Sequence, residues 1–230
     1  MPFHCSLAKD AVNCEGVGDW RQFEFDIGCL CEALGYAIEV TPGSADFGVD
    51  VLGRRGNRTV AIQCKLYENS VGSEPIQRLL AAERLHGATH FMCITTGRYT
   101  KKAKELGGRA GVILIDGDGL EEACRVSHLV IPSCIFLVGA DGCPHLVDDE
   151  CIIGREASSC AITLESQLVS RKHAMFRLNG PRLELVDLAS TNGTSVNGRS
   201  VAGRSATPVT YGDRIEFAGE RFTLRLRSNA

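Results

Sequence analysis

The stretch GVDVLGRRGNRTVAIQCK, residues 48–65, decides the fold of the first half of this 230-residue chain. Two runs rich in apolar and β-branched residues flank the Gly/Arg/Asn segment 53–58, a pattern that predicts a β-hairpin. Because side chains alternate across a strand, we expect Gln63 and Lys65 to point to one face. Pairing of the two strands would bring that face to Asp50.

The sequence around this hairpin predicts helices that alternate with strands up to about Arg125, which indicates an α/β or α+β domain. Residues 1–18 show no clear period, and we expect a loose tail there. The first domain is therefore assigned to residues 19–126. Its predicted elements are helices at 20–36, 74–86, 100–106 and 120–124, strands at 37–40, 48–52, 59–65, 90–95 and 112–115, and a turn at 41–44.

The pattern changes after Cys134, where short strand-like runs are separated by Gly, Asn, Ser and Pro turns and no helical period remains. This pattern is typical of an all-β sandwich. We expect residues 127–133 to be a short linker and residues 134–230 to form the second domain. The predicted strands lie at 134–138, 151–153, 161–162, 174–178, 183–188, 194–196, 213–217 and 222–226.

The amino-acid composition bears on nucleic-acid binding, on the state of the cysteines and on the location of the protein. The net charge is -3, and residues 1–130 carry 14 Lys and Arg against 17 Asp and Glu, which counts against heavy nonspecific nucleic-acid binding. The 11 cysteines contain no CxxC pair, so they favour reduced, mostly buried thiols of a cytoplasmic protein over zinc sites or disulfides. We expect no secretory signal and no membrane contact, because the longest apolar stretch, residues 129–138, is too short to span a membrane.

The polar residues of the hairpin have the chemistry of a metal-dependent site that cuts phosphodiesters. Asp50 and the carbonyl of Cys64 are oxygen ligands of the kind that Mg²⁺ takes, and Gln63 lies two residues before Lys65 on the same predicted strand. Lys65 is suited to orient or deprotonate a water, or to neutralise developing charge. Glu24, on the first helix, offers a second carboxylate. The alternative is a solvated Asp/Lys pair, but Lys65 lies in an apolar run, where an unpaired charge is costly.

These residues resemble the Mrr-type restriction endonuclease catalytic domain over roughly residues 20–124. The resemblance implies the PD-(D/E)xK nuclease fold, with Gln in place of the middle acid, and a type IV restriction-like, metal-dependent endodeoxyribonuclease. It implies that Asp50 ligates the metal, that Gln63 takes the middle position and that Lys65 is the catalytic lysine, with Glu24 as the supporting acid. The motifs that carry it are Phe23-Glu24, Leu34-Gly35-Tyr36, residues 41–50 and 62–65, residues 95–100, Ala103 and Ile115-Asp116-Gly117.

The main basic cluster of the first domain consists of Arg98, Lys101, Lys102 and Lys104. Two interpretations of this cluster remain open. It is either a solvated helix face or a surface that positions DNA phosphates.

Turns between the predicted strands of the second domain carry the residue types of a phosphothreonine site. Such a site needs a bidentate charged donor together with hydroxyl and amide donors on fixed loops. Loops at one end of a sandwich can converge on a ligand. The sequence therefore favours a phosphate-binding pocket built from Arg155, Ser170, Arg171, Thr191 and Asn192.

Residues 138–226 resemble the forkhead-associated (FHA) domain. The resemblance implies a β-sandwich that binds phosphothreonine peptides. It implies that Asn192 bonds the peptide backbone while the other four pocket residues contact the phosphate, and that Gly154, His173 and Gly193 are architectural. The motifs that carry it are Gly154-Arg155, Ser170-x-x-His173, Asn192-Gly193 and Val196-Asn197-Gly198.

Two functional hypotheses from different classes follow. In the first, the chain is a Mg²⁺-dependent DNA endonuclease that an FHA domain recruits or regulates by binding a phosphothreonine-containing protein or peptide. Cutting both strands would then favour a homodimer, because one active site cuts one strand at a time. In the second, the chain is a non-catalytic, phospho-dependent adaptor whose nuclease-like fold only binds nucleic acid or protein.

Overall fold

A computed structural model describes residues 20–41, 48–67, 69–81, 86–201, 203 and 205–226. The chain divides after Leu120 into two compact units. The expected tail at residues 1–18, most of the expected turn at residues 41–44 and residues 82–85 of the expected second helix lie outside the described residues.

The strands of the first unit are β1 Ala37–Val40, β2 Val51–Arg55, β3 Arg58–Lys65, β4 Ser70–Val71, β5 His90–Thr95, β6 Arg98–Tyr99 and β7 Val112–Ile115. Five of them form a mixed sheet in the order β1-β2-β3-β5-β7, and β4 pairs with β6 in a small parallel ribbon. Strands β1 to β3 pair antiparallel, whereas β3, β5 and β7 run parallel.

The helices of the first unit are α1 Trp20–Ala33, α2 Glu74–Leu79 and α3 Lys101–Ala110, and α4 Gly117–Ser127 crosses the division between the units. In α1, buried Phe23, Ile27 and Leu30 recur at helical spacing and define the packed face. A core of apolar residues on β2, β3 and β5 packs against α2 and α3, and includes Leu52, Ala61, Ile76, Leu79, Cys93 and Ala103.

The structure departs from several predicted element boundaries, and side-chain caps explain two of them. Helix α3 begins at Lys101 because the Thr100 hydroxyl accepts the N–H of Ala103 at 3.2 Å. Helix α4 begins three residues earlier than predicted, after Asp116, whose carboxylate accepts the N–H of Gly119 at 3.2 Å. The predicted turn at 53–58 was too long, because β2 continues to Arg55 and β3 begins at Arg58. The second helix is shorter than predicted and ends at Leu79.

The second unit is a sandwich of two sheets. Its strands are β8 Ile135–Gly139, β9 Pro144–Leu146, β10 Cys151–Gly154, β11 Ile162–Thr163, β12 Ala174–Asn179, β13 Arg182–Asp187, β14 Thr194–Val196, β15 Arg199–Ser200, β16 Ala206–Val209, β17 Arg214–Phe217 and β18 Glu220–Leu226. One sheet has the order β11-β10-β12-β13-β16 and the other β15-β14-β17-β18-β8-β9. Buried apolar side chains fill the space between them, among them Leu137, Phe176, Leu185, Ile215, Phe217 and Leu224. The predicted fold class, an α/β unit followed by an all-β sandwich, is confirmed.

Residues 127–133, expected as a linker, pack on the sandwich. Leu129, Val130 and Ile131 are buried, and the N–H of Ile131 donates to the hydroxyl of buried Tyr211 at 3.0 Å. The N–H of Val130 donates to the carbonyl of Pro181 at 2.7 Å. Among the described helices, none is long and apolar enough to cross a membrane.

Candidate active site and phosphate-binding pocket

The predicted hairpin brings Gln63 and Cys64 to Asp50. Val51 pairs with Ile62 in the β2–β3 ladder, and the N–H of Asp50 donates to the carbonyl of Ile62 at 2.8 Å. The Asp50 Oδ2 atom then accepts two hydrogen bonds, one from the Gln63 side-chain nitrogen and one from the Cys64 N–H at 2.6 Å. The register of one hairpin thus holds an acid, an amide and a backbone peptide together.

The atoms around Asp50 suit a hard divalent cation. The N–H and carbonyl of one strand residue point to the same neighbouring strand, so the Cys64 carbonyl lies on the side of β3 from which its N–H reaches Asp50. Carboxylate, amide and carbonyl oxygens are the ligands that such cations prefer. Within the described part of the chain, no three His, Cys, Asp or Glu side chains converge as a metal site. A cation here would therefore rely on the Gln63 and Cys64 oxygens and on water and substrate.

Lys65 lies two residues after Gln63 on β3, on the face of the sheet that also carries Cys93. The register pairs Lys65 with Thr95 and Gln63 with Cys93. Burial raises the pKa of the Cys93 thiol; the charge of Lys65 lowers this pKa and the charge of Asp50 raises it. The charges of Lys65 and Asp50 therefore both reach the buried Cys93 thiol. Lys65 itself is half-buried at the end of its strand.

Glu24 approaches the site from α1, where it is buried with only 6% of its surface exposed. Burial raises the pKa of the Cys64 thiol well above its ordinary value, and the carboxylates of Asp50 and Glu24 raise it further. Both acids therefore lie close enough to Cys64 to influence it. Asp50, Gln63 and the Cys64 backbone are joined by hydrogen bonds near the carboxyl end of β3, Lys65 ends that strand, and Glu24 on α1 is near enough to Cys64 to affect its pKa.

A glycine makes room for Gln63. Gly48 has a φ of +88°, and a Cβ atom built there would lie 2.8 Å from the Gln63 Oε1 atom and 2.8 Å from the Arg78 Cβ atom. Real Cβ atoms do not approach this closely, so a larger residue would displace the amide. The sequence shows a glycine here but does not show that it borders Gln63.

The four residues of the basic cluster differ in whether an acidic side chain lies within ion-pair distance. Arg98 lies 3.7 Å from Asp118 and Lys104 lies 3.5 Å from Asp116, so these two cations have acidic partners. Lys101 and Lys102 are exposed, and no ion pair within 4.0 Å involves them in the described part of the chain.

At one end of the sandwich, an open pocket of about 500 Å³ is lined by Arg155, Glu156, Ser170, Arg171, Lys172 and Thr191. Backbone hydrogen bonds hold its two sides together: the N–H of Arg155 donates to the carbonyl of Ser170 at 3.1 Å. The Ser170 hydroxyl accepts the N–H of Thr191 at 3.0 Å. Four of the five residues predicted for phosphate recognition therefore line one positively charged pocket.

Asn192, the fifth predicted residue, borders the same loops. Its side-chain nitrogen donates to the carbonyl of Leu168 at 2.7 Å. Asn192 and Leu168 are both exposed. This bond ties the loop before Ser170 to the loop that carries Thr191.

Buried His173 braces these loops. Its Nδ1 atom accepts the N–H of Ser170 at 3.1 Å, so the proton of the neutral ring is on Nε2, which donates to the carbonyl of Gly193 at 3.1 Å. The ring packs edge-on against Phe217 with centroids 5.8 Å apart. Gly193 has a φ of +79°, a conformation that favours glycine.

Residue 154 must be glycine because another backbone segment passes very close to it, not because the chain turns there. A Cβ atom built on it would lie 2.1 Å from the carbonyl oxygen of Arg171 and 2.9 Å from the Cys160 Sγ atom. The segment that carries Arg171 can therefore reach Arg155 only when residue 154 has no side chain.

Asp187 is a supporting residue that the sequence reasoning missed. Its carboxylate accepts the N–H of Ser190 at 2.8 Å and the hydroxyls of Ser190 and Thr194 at 2.6 Å each. Burial acts to raise the pKa of Asp187, but these hydrogen bonds outweigh it and hold the pKa below its ordinary value. The sequence signal that could have identified Asp187 is its spacing from Ser190, Asp-x-x-Ser, which is typical of a local turn.

The described cysteines are free, and five of them are buried: Cys64, Cys93, Cys124, Cys134 and Cys151. Burial raises the pKa of Cys124 to about 12 and that of Cys31 and Cys151 to about 11. Because the thiolate is the reactive form, these thiols are protonated and unreactive at neutral pH. Cys5 and Cys14 lie outside the described residues.

The fold and these two constellations define a nuclease-like α/β unit followed by a phosphopeptide-type sandwich. Sequence-family profiles agree: residues 18–124 match the Mrr catalytic family, described as "Restriction endonuclease", and residues 151–218 match the family described as "FHA domain". The chain therefore joins an Mrr-type restriction endonuclease catalytic domain to an FHA domain. No curated protein matches the chain.

Solved FHA domains are similar to the second half of the chain. An FHA domain studied for its phosphothreonine-dependent interactions is 30% identical, with 40% of this chain and 95% of that chain covered and a TM-score of 0.37. The FhaA FHA domain, solved with the intracellular domain of another protein, is 31% identical, with 40% and 99% covered and a TM-score of 0.36. An FHA domain from Chlamydia trachomatis is 22% identical, with 40% and 96% covered and a TM-score of 0.37.

Proposed function

We propose that this chain is a metal-dependent DNA endonuclease that its FHA domain recruits or regulates by binding phosphothreonine peptides. The observation that carries the proposal is the convergence of the Gln63 amide and the Cys64 N–H on the Asp50 carboxylate, with Lys65 next on the same strand. Oxygen ligands for one hard cation and an adjacent lysine are the groups that phosphodiester hydrolysis needs.

In this proposal, Asp50, the side-chain oxygen of Gln63 and the carbonyl of Cys64 hold Mg²⁺, and Glu24 supports them from α1. A bound Mg²⁺ supplies Lewis-acid polarisation of the phosphate and an activated water. Lys65 orients that water, or offsets the negative charge that develops on the phosphate. The nitrogen of Gln63 donates to the Asp50 carboxylate and keeps it in place, and the side-chain oxygen of Gln63 would serve as a ligand of the cation.

The pocket of the sandwich takes the phosphothreonine. Arg155 and Arg171 provide charged, bidentate donors for the phosphate oxygens, and the hydroxyls of Ser170 and Thr191 add to them. Asn192 bonds the peptide backbone through its side-chain oxygen and its second amide N–H, since the first N–H donates to the Leu168 carbonyl. The support for this assignment is the shared pocket and the FHA family match.

We further propose that the nuclease domain spans residues 19–126 and the FHA domain residues 134–230, with residues 127–133 between them. Free, largely buried cysteines suit a reducing compartment, so we place the protein in the cytoplasm. Cleavage of both DNA strands requires two active sites, which favours a homodimer on DNA.

A plasmid assay tests both halves together. Supercoiled DNA is incubated with the full chain in Mg²⁺ or in EDTA, with and without a phosphothreonine peptide that the protein binds. We expect cleavage only in Mg²⁺, at a rate that the peptide changes. Arg155→Ala should abolish peptide binding and the rate change but keep the basal cleavage, whereas Arg199→Ala, at an exposed position on β15, should behave like the parent. Equal peptide affinity in Arg155→Ala and the parent would contradict the pocket.

The non-catalytic adaptor remains the second candidate. The observation that favours it is the charge of residues 1–130, where acidic residues outnumber basic ones by 17 to 14. An adaptor would bind the phosphothreonine peptide through Arg155 and leave plasmid DNA uncut in Mg²⁺. The same assay therefore separates the two functions.

A further inference from the structure

The carboxyl ends of β3 and β5 carry exposed residues that the reaction proposed above does not use. β3 ends at Lys65 and the chain continues through Tyr67, while β5 ends at Thr95 and continues through Gly97. Because β3 and β5 are parallel neighbours, both segments leave the sheet at the edge where Asp50 lies.

Contacts between these two segments hold the backbone of Tyr67 in place. The hydroxyl of buried Thr96 donates to the carbonyl of Tyr67 at 3.1 Å. A Cβ atom at Gly97 would lie 2.8 Å from that carbonyl oxygen and 2.4 Å from the carbonyl oxygen of Asn69, so the segments meet only because residue 97 is glycine. The Tyr67 side chain nevertheless remains 51% exposed. An aromatic ring is thus displayed on a fixed backbone two residues after Lys65.

The same surface continues to the start of α3. Val71 pairs with Tyr99 in the β4–β6 ribbon, and the N–H of Thr100 donates to the carbonyl of Val71 at 3.0 Å. Thr100 caps α3, so exposed Lys101 and Lys102 follow directly. Lys101 is four positions after Gly97 in the sequence, which limits the distance between their Cα atoms to about 14 Å.

We propose that Tyr67, Lys101 and Lys102 form a backbone-binding surface for duplex DNA next to the phosphate that is cut. This inference deepens the proposed nuclease function and rests on it. Lys101 and Lys102 have no ion pair in the described part of the chain, so their charges are available for phosphates, whereas Arg98 and Lys104 are partly neutralised by Asp118 and Asp116. The Tyr67 ring packs its apolar face on a deoxyribose, with the hydroxyl directed to water or phosphate.

The charge of the first domain and the length of the segment from Gly97 to Lys101 limit the number of DNA phosphates that this surface can contact. A length of about 14 Å corresponds to about four nucleotides of one strand at 3.4 Å each. The near-neutral composition of residues 1–130 argues against a larger basic surface. The nuclease domain should therefore hold DNA through a few phosphates, with a weak dependence of affinity on salt.

Fluorescence anisotropy with a labelled 20-base-pair duplex tests this surface in the full chain. EDTA is present so that cleavage cannot contribute. The double variant Lys101→Ala/Lys102→Ala should bind about tenfold more weakly, and the slope of log affinity against log salt should fall by about 1.8. Tyr67→Ala should weaken binding about fivefold with the slope unchanged, because it removes the apolar contact with the sugar and no charge, and Tyr67→Phe should restore most of the loss.

Arg109→Ala is the matched control, since Arg109 is an exposed cation at the far end of the same helix. A double lysine variant with the affinity and slope of the parent would overturn the proposal, and so would an equal loss in Arg109→Ala. Circular dichroism of each variant should match the parent, because the replaced side chains are exposed. If DNA binding depends on Lys101 and Lys102 but no plasmid is cleaved, only the proposed nuclease function is contradicted. If the protein cleaves DNA but its DNA affinity does not depend on Lys101 and Lys102, only the proposed binding surface is contradicted.

Discussion

The Asp50 carboxylate accepts the backbone N–H of Cys64 at 2.6 Å, one residue before Lys65 on the same strand. The position of the acid relative to Lys65 is therefore set by the β2–β3 register rather than by flexible side chains alone. Because Gln63 donates to the same carboxylate oxygen, two consecutive residues of β3 bond one acid, and Lys65 follows them on the strand. This geometry underlies the predictions for the nuclease site.

Replacement of Asp50 by Asn should abolish cleavage while it preserves the fold. Asn keeps the size of the side chain and an oxygen that can accept the Cys64 N–H, but it removes the negative charge that holds a cation. We expect the rate of plasmid nicking in Mg²⁺ to fall at least about 100-fold. Glu105→Gln, an exposed change on α3, is the control and should cut at the parent rate. An Asp50→Asn protein that cuts as fast as Glu105→Gln would contradict the assigned role.

Replacement of Gly48 by Ala should destabilise the first unit more than replacement of Gly56. Both glycines have positive φ angles, which cost a larger residue about 1–2 kcal/mol, but only at Gly48 would the new Cβ meet other atoms, the Gln63 Oε1 and the Arg78 Cβ. Trp20 is the single tryptophan of the chain and lies on α1, so its fluorescence reports on this unit. Urea unfolding followed at Trp20 should give the larger loss of free energy for Gly48→Ala; equal losses would argue against the close contact.

His173→Ala should weaken phosphothreonine-peptide binding through the loops rather than by direct contact. The change leaves the N–H of Ser170 and the carbonyl of Gly193 without their bonds to the ring. Two lost hydrogen bonds at a buried site cost about 2–4 kcal/mol of unfolding free energy. Calorimetry should show peptide affinity reduced about tenfold, a loss of about 1.4 kcal/mol. His145→Ala, on β9, should leave affinity at the parent value, and an unaffected His173→Ala would contradict the bracing role.

Acid should loosen the loop that carries Thr191 through Asp187. The pKa of Asp187 in the folded protein is held below its ordinary value, so its contribution to stability is present above pH about 4 and is lost as the pH falls through the folded pKa. Hydrogen exchange of the Ser190 amide, which donates to Asp187, measures this directly. The Ser190 protection factor in Asp187→Asn should be below that of the parent at pH 7. As the pH is lowered toward the folded pKa, the two values should converge; a constant gap would contradict the assignment.

The alternation of side chains along β3 predicted that Gln63 faces Asp50, and the Gln63 side-chain nitrogen donates to the Asp50 carboxylate. Gln63 and Lys65 share a face, and a hairpin can pair them with Asp50 in only one register that keeps the apolar residues buried. The motif order likewise predicted that Arg155, Ser170, Arg171 and Thr191 would line one pocket.

Contacts between segments that are far apart in the sequence could not be predicted in this way. The contact of Thr96 with Tyr67 and the lack of space for a side chain at Gly48, Gly97 and Gly154 appear only when distant segments are packed together. Strands β4, β6, β9, β15 and β16 were not predicted; each has only two to four residues, too few to show a clear alternation. Asp187 was missed because its three donors belong to the following loop and strand and form no periodic pattern.

The most direct test of the central claim is plasmid cleavage in Mg²⁺ by the parent, by Lys65→Ala and by Lys104→Ala, each purified in parallel. Lys65 ends β3 beside Asp50, whereas Lys104 is an exposed lysine of the same domain that pairs with Asp116. If the site cuts phosphodiesters, the parent and Lys104→Ala cleave the plasmid and Lys65→Ala cleaves it at least about 100-fold more slowly. Equal cleavage by Lys65→Ala and the parent, or none by any of the three, would contradict a nuclease built on Asp50, Gln63 and Lys65.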